Sequence, residues 1–180
     1  MVDQGWPAPW HAPVVAETYD GALNDINGQH VEPTHVLSAL QTAASGPVRE
    51  GSVGGGTGML CNGFKGGIGT ASRVVSAAGR LFTVGVLVQC NYNWEGKSLR
   101  LGDQWVSKKL PVGEHCYADD TIAPKNPWFP FCSGAELIKD SPARDGSIIV
   151  VIATDAPVLP HQLKRVAKRP ALSLGRLGAI

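Results

Sequence analysis

Asp145-Gly146-Ser147-Ile148-Ile149-Val150-Val151-Ile152-Ala153-Thr154-Asp155-Ala156-Pro157 is the stretch on which the fold turns. An unbroken β-branched run with a Gly-Ser junction in front and Asp-Ala-Pro behind predicts a strand long enough to be buried on both faces. Such a strand holds Ser147 rigidly at its first position. If the Gly146-Ser147 bond were cut, Ser147 would carry a hydroxyl nucleophile and a free α-amine on one residue. A peptide nitrogen has its lone pair delocalised into the carbonyl, whereas a free α-amino group titrates at about 7.7–8.0, so only the cut form owns a base poised near neutrality. Gly146 suits the cut, because a missing Cβ lets the hydroxyl approach the preceding carbonyl. Asp-Gly-Ser is equally ordinary turn chemistry leading into a core strand.

A second buried strand is predicted over Leu81-Phe82-Thr83-Val84-Gly85-Val86-Leu87-Val88-Gln89-Cys90, delivering Asn91 at its C-terminal end. Read alone, Asn91 is a loop residue after a strand. Glu32-Pro33-Thr34 opens a helix in which Val36, Leu37, Leu40, Ala43 and Ala44 mark a core face, with Gly46-Pro47 as its stop. Val14 to Glu17 reads as a short strand, and Trp6 to Pro13 as an extended, proline-broken entry. After the buried strand, Asp155 is the expected cap of a helix carrying His161, Leu163, Lys164, Val166, Ala167 and Lys168, ended by Pro170. The basic residues Lys164, Arg165, Lys168 and Arg169 read as a solvated face of it.

Glycine is dense from Gly51 to Gly69, which invites a phosphate-loop reading. No window fits G-x-G-x-x-G, and Lys65 is neither preceded by glycine nor followed by Ser or Thr. The segment reads instead as two strands meeting at a sharp bend around Cys61-Asn62-Gly63, with Phe64 to Gly69 either packing or rimming a pocket. The four cysteines, Cys61, Cys90, Cys116 and Cys132, match no zinc or redox spacing and are expected as free thiols. A site built from His115, Cys116 and Cys132 is the weak alternative.

Four segments, taken in order, resemble the L-aminopeptidase/D-esterase family, which includes the β-peptidyl aminopeptidases. They are Val14-Val15-Ala16-Glu17-Thr18-Tyr19-Asp20-Gly21 with Leu23 to Gly28; Glu50 to Met59 running into Gly63-Phe64-Lys65-Gly66-Gly67-Ile68-Gly69-Thr70-Ala71-Ser72-Arg73; Leu87-Val88-Gln89-Cys90-Asn91-Tyr92; and Asp145 to Lys168. The resemblance implies an α/β layered αββα sandwich of the N-terminal-nucleophile hydrolase kind, with two sheets between helices. It implies Ser147 as nucleophile after self-cleavage at Gly146, and the Tyr19 hydroxyl and Asn91 amide as oxyanion donors. Neutral donors suit that task because they do not titrate near pH 7. Small peptides, amides or esters are the implied substrates, with no metal or organic cofactor and with oligomers of cleaved pairs in complete relatives. A non-catalytic remnant that acts as a binding or assembly module is the competing reading.

Composition is compatible with this. The 180 residues suit a single domain, divided by cleavage into 1–146 and 147–180, with 93–146 expected as an insertion or long loop. Sixteen basic against fifteen acidic residues give a net charge of +1, which argues against nucleic-acid or membrane-surface binding driven by bulk charge. Met1 to Gln4 show neither a basic n-region nor the start of an apolar one, so a cytoplasmic location is expected. Members of the family look longer at both ends, and Ala171 to Ile180 contain no glutamate to support the nucleophile; Ser173 is not promoted to that role.

Overall fold

The computed structural model describes residues 14–93, 98–109 and 146–179. Its framework is one antiparallel sheet of three strands, in the order β3 (Gly67–Ala77), β4 (Arg80–Asn91), β7 (Ser147–Thr154). Strands β3 and β4 form a long hairpin closed by Ala78 and Gly79, both at positive φ (49° and 72°). That is the backbone twist a two-residue hairpin turn needs. The β-branched run 148–152 then lies along β4 with Asn91 opposite Ser147 and Val84 opposite Thr154.

A smaller hairpin precedes this sheet, made of β1 (Leu60–Cys61) and β2 (Phe64–Lys65). Its turn is Asn62-Gly63, with φ of 52° and 73°, the bend that glycine and asparagine make at low cost. A further ribbon pairs β5 (Arg100–Leu101) with β6 (Gln104–Trp105). The glycine-rich segment packs main chain on main chain: Gly51 and Ile68 exchange N–H to carbonyl bonds of 2.8 and 2.9 Å. Lys65 is spent locally, its Nζ donating to the carbonyls of Gly56 (3.0 Å) and Gly66 (2.9 Å). Lost hydration there holds its pKa below the ordinary lysine value.

Side-chain alternation divides the sheet into two faces. Even-numbered residues of β4 and β7, among them Val86, Val88, Val150 and Ile152, face helices α2 (Pro160–Ala167) and α3 (Arg169–Leu177) across an apolar cavity of about 530 Å³. Odd-numbered residues Gln89, Asn91 and Ser147 face the segment Thr18–Tyr19. Most of the buried side chains among those described lie where the end of β4 meets the small hairpin, namely Met59, Leu60, Asn62, Asn91 and Tyr92, with Val106 buried apart from them.

Several expectations are corrected. Val14 to Glu17 form no strand, and Val14 and Val15 are exposed. The helix at Pro33 exists as α1 (Pro33–Gln41), but it ends before Gly46-Pro47 and buries none of its residues; apolar periodicity marks the face a helix offers, not a partner to cover it. β7 is not buried on both faces, since β4 is its one partner among the described residues and Val151 is 53 % exposed. Asp155 caps no helix. Standing just past the end of β7, its carboxylate accepts the Thr83 N–H of the neighbouring strand at 2.6 Å. Pro170 does not end a helix but sits in the first turn of α3, where its missing N–H costs nothing. Cys61 and Cys90 are not free thiols: they are joined in a disulfide with Cα atoms 5.7 Å apart. Packing of the small hairpin against the end of β4 brings them together across 29 residues, which spacing along the chain does not reveal. Trp6 to Pro13, the greater part of 93–146, and His115, Cys116 and Cys132 lie outside the described residues.

Candidate active site

Ser147 is the first residue of β7 and lies directly opposite Asn91, the last residue of β4. Residues opposed in this way share a face, with Cβ atoms about 4.5–5.5 Å apart. The strand pairing therefore delivers the hydroxyl and the amide to one place. Asn91 Nδ2 donates to Ser147 Oγ at 3.1 Å and to the Tyr19 carbonyl at 2.5 Å. The Tyr19 main-chain N–H donates to the same Oγ at 3.2 Å. Two donors thus occupy both lone pairs of the hydroxyl and leave its own proton to be given elsewhere.

The amide's orientation follows from its other end. The Leu60 N–H donates to Asn91 Oδ1 at 3.0 Å. A backbone nitrogen can only donate, so the atom facing it must be oxygen, and Nδ2 must therefore face Ser147. Asn91 is 2 % exposed and all its hydrogen-bonding capacity here is directed within the protein. Gln89, on the same face one pleat away, donates from Nε2 to Thr18 Oγ1 at 2.6 Å and so ties the Thr18–Tyr19 segment across the strand.

Gly146 runs flush against the main chain of the residue after Asn91. A Cβ on Gly146 would stand 2.5 Å from Tyr92 Cβ and 3.0 Å from Tyr92 Cα, nearer than real side chains approach. Glycine is therefore required by contact. Gly146 is itself exposed, so the peptide bond before Ser147 stands at an open edge of the site.

The structure brings together all four residues that the sequence singled out: Ser147, Gly146, Asn91 and Tyr19. It differs in the atom that Tyr19 presents to Ser147. The resemblance points to the hydroxyl, whereas the contact is made by the main-chain N–H, and the ring folds back over Gly21, whose Cβ position is 2.6 Å from the hydroxyl. Two contributors were missed, the Leu60 N–H and Gln89. A main-chain donor from another hairpin leaves no mark in a sequence. Gln89 does leave one, as a second amide two residues before Asn91 in an otherwise apolar strand. Among the described residues, no group of three His, Cys, Asp or Glu side chains could hold a metal ion, and no helix is long and apolar enough to cross a membrane.

The chain is similar to known proteins along nearly its whole length. The profile of peptidase family S58 matches residues 4–180. A β-peptidyl aminopeptidase, BapA of Sphingosinicella microcystinivorans, is 55 % identical over 181 residues, which is 99 % of this chain and 42 % of that protein. The match takes in residues 93–146. The BapA of Sphingosinicella xenopeptidilytica is 46 % identical over 93 % of the chain and 38 % of its own length. The L-aminopeptidase D-Ala-esterase/amidase of Ochrobactrum anthropi, described as a variant of the N-terminal-nucleophile hydrolase fold, superposes with a TM-score of 0.73 at 47 % identity, over 94 % of this chain and 39 % of that one. A β-aminopeptidase of Burkholderia sp. gives 0.72 at 45 % identity, over 95 % and 40 %. The chain thus spans about two-fifths of the length of these relatives and shares over that span the N-terminal-nucleophile hydrolase type of α/β fold. With its matched residues running through both the serine and the asparagine, the chain belongs to peptidase family S58.

Proposed function

We propose that this chain carries the nucleophile and oxyanion-binding part of a self-cleaving serine aminopeptidase that releases N-terminal residues from small peptides, amides or esters. The observation that carries the reading is the convergence of Asn91 Nδ2 and the Tyr19 N–H on Ser147 Oγ, at 3.1 and 3.2 Å, on the residue that follows an exposed glycine. The names of the similar proteins, aminopeptidases and an esterase/amidase, support it.

Maturation comes first. Ser147 Oγ adds to the Gly146 carbonyl carbon, the C–N bond to Ser147 breaks as its nitrogen takes up a proton, and water hydrolyses the resulting ester. The new α-amine is then the general base. In turnover Oγ attacks the substrate carbonyl, the Ser147 amine accepts the hydroxyl proton and passes it to the leaving amine, and water resolves the acyl-enzyme. The oxyanion forms two bonds from Oγ, on the oxygen of the attacked carbon and within reach of the donors that hold Oγ in the resting chain, and neutral N–H groups stabilise it without titrating. No step needs a metal or an organic cofactor.

The reading extends to oligomers of cleaved pairs and, from the sequence, to a cytoplasmic location. A Cys61–Cys90 disulfide counts against the latter, because reducing compartments keep structural thiols apart unless the bond is a labile one. Hydrolysis of p-nitroanilides of an L-α-amino acid, a D-α-amino acid and a β-amino acid tests the proposal. Release of nitroaniline that disappears in Ser147→Ala is expected; equal release by the two proteins, or none from either, contradicts it.

A further inference from the structure

The small hairpin is fastened to the end of β4 at four successive residues. Leu60 N–H donates to the Asn91 side chain, Cys61 is bonded to Cys90, and the N–H groups of Asn62 and Gly63 donate to the carbonyls of Tyr92 (2.8 Å) and Asn93 (2.9 Å). β7 begins opposite Asn91, so Tyr92 and Asn93 have no β7 residue to pair with. The hairpin supplies their main-chain partners, while the Asn93 side chain donates to Ser98 Oγ and the Gly178 carbonyl. The bond that fixes the Asn91 amide and the disulfide lie on adjacent residues of both elements, Leu60–Cys61 and Cys90–Asn91.

From this juxtaposition we infer that the Cys61–Cys90 disulfide is a redox-responsive positioning element for Asn91. When formed, it keeps the Leu60 N–H against Oδ1 and so keeps Nδ2 turned to Ser147. When opened, the main-chain bonds of Asn62 and Gly63 and the Asn62 side chain hold the hairpin beyond Asn91 but not beside it, and the amide loses its anchor at Oδ1 and keeps only the Nδ2 bonds to Tyr19 and Ser147. Closure is thiol–disulfide exchange with a low-molecular-weight disulfide. One cysteine thiolate attacks that disulfide and expels a thiolate; the second attacks the mixed disulfide and expels the other. Two protons leave the protein and the small disulfide accepts two electrons. This rests on the proposed function only for its consequence, not for its measurement.

The test compares the purified chain in oxidised and reduced glutathione by hydrogen exchange and by the ¹⁵N side-chain resonances of asparagine, with the Cys61→Ser/Cys90→Ser variant in both buffers. In the reduced chain and in the variant, exchange at Leu60 should quicken by about tenfold or more and the Asn91 Nδ2 signals should shift or broaden, while the β3–β4 ladder stays protected. Self-cleavage should slow in parallel. Three results would overturn the inference: identical Leu60 and Asn91 signals in both buffers, loosening spread equally through the β3–β4 ladder, or alkylation of both cysteines in the unreduced chain. A chain with the Leu60 and Asn91 response but no cleavage contradicts the proposed function alone; a chain that cleaves with neither response contradicts the redox role alone.

Discussion

Asn91 contributes a fixed acceptor to Leu60 and a fixed pair of donors to Tyr19 and Ser147. Asn91→Asp keeps the size and the acceptor but puts an oxygen where Nδ2 stands, facing the Tyr19 carbonyl and the Ser147 hydroxyl. Loss of one such donor typically costs about 10²–10³ in rate, so breakage of the freshly purified chain, followed by timed gel electrophoresis, should slow by that order. An unchanged rate would remove Asn91 from the oxyanion role. Gly146 makes its contribution by absence. Gly146→Ala forces a Cβ to within 2.5 Å of Tyr92, a main-chain conflict that no rotamer relieves, and overpacking of this kind costs roughly 1–3 kcal/mol. The urea midpoint should fall and the bond before Ser147 should stay uncut. The Gly-Ser junction was visible as a local feature of the sequence, whereas Asn91, an ordinary loop residue when read alone, was picked out by the family resemblance. The sequence could not show that Tyr19 would present its main-chain nitrogen, since that depends on how a coil segment crosses a distant strand.

At the scale of elements, β4 and β7 were legible because β-branched runs bounded by turn residues have few alternatives, whereas β3 was not, its eleven residues being rich in glycine, serine and alanine. The Asn62-Gly63 turn was legible too, from its turn residues. Its geometry makes a sharp prediction: Gly63 sits at φ 73°, and a side chain there costs about 1–2 kcal/mol, so Gly63→Ala should lower the unfolding free energy by that amount in urea titration. No loss would mean the turn is not as described. What the sequence did not convey was pairing. The Cys61–Cys90 bond and the Asn91–Ser147 register are both consequences of which strands lie side by side, a non-local choice. The helix starts failed for a related reason. Asp155 is a good cap in isolation, but an unpaired N–H of Thr83 stood nearer, and Pro170 reads as a stop or as a start depending on where the previous helix has already ended.

For the whole molecule, the organising fact is that the sheet's two faces have different tasks. One packs valine and isoleucine toward α2 and α3. The other carries Gln89, Asn91 and Ser147, and a one-residue slip of β7 would send Ser147 to the apolar side and bury a hydroxyl among valines. The alternating pattern of the sheet and the placing of Ser147 beside Asn91 are therefore the same constraint, which is why reading the strand also drew attention to the proposed nucleophile. The account depends on the chain breaking at one bond. Intact-mass analysis of the purified protein, with end-group sequencing of any smaller piece, measures this directly. The account predicts a piece that begins Ser-Ile-Ile-Val and is missing in Ser147→Ala; a folded chain that persists at full length, or that breaks elsewhere, would contradict it.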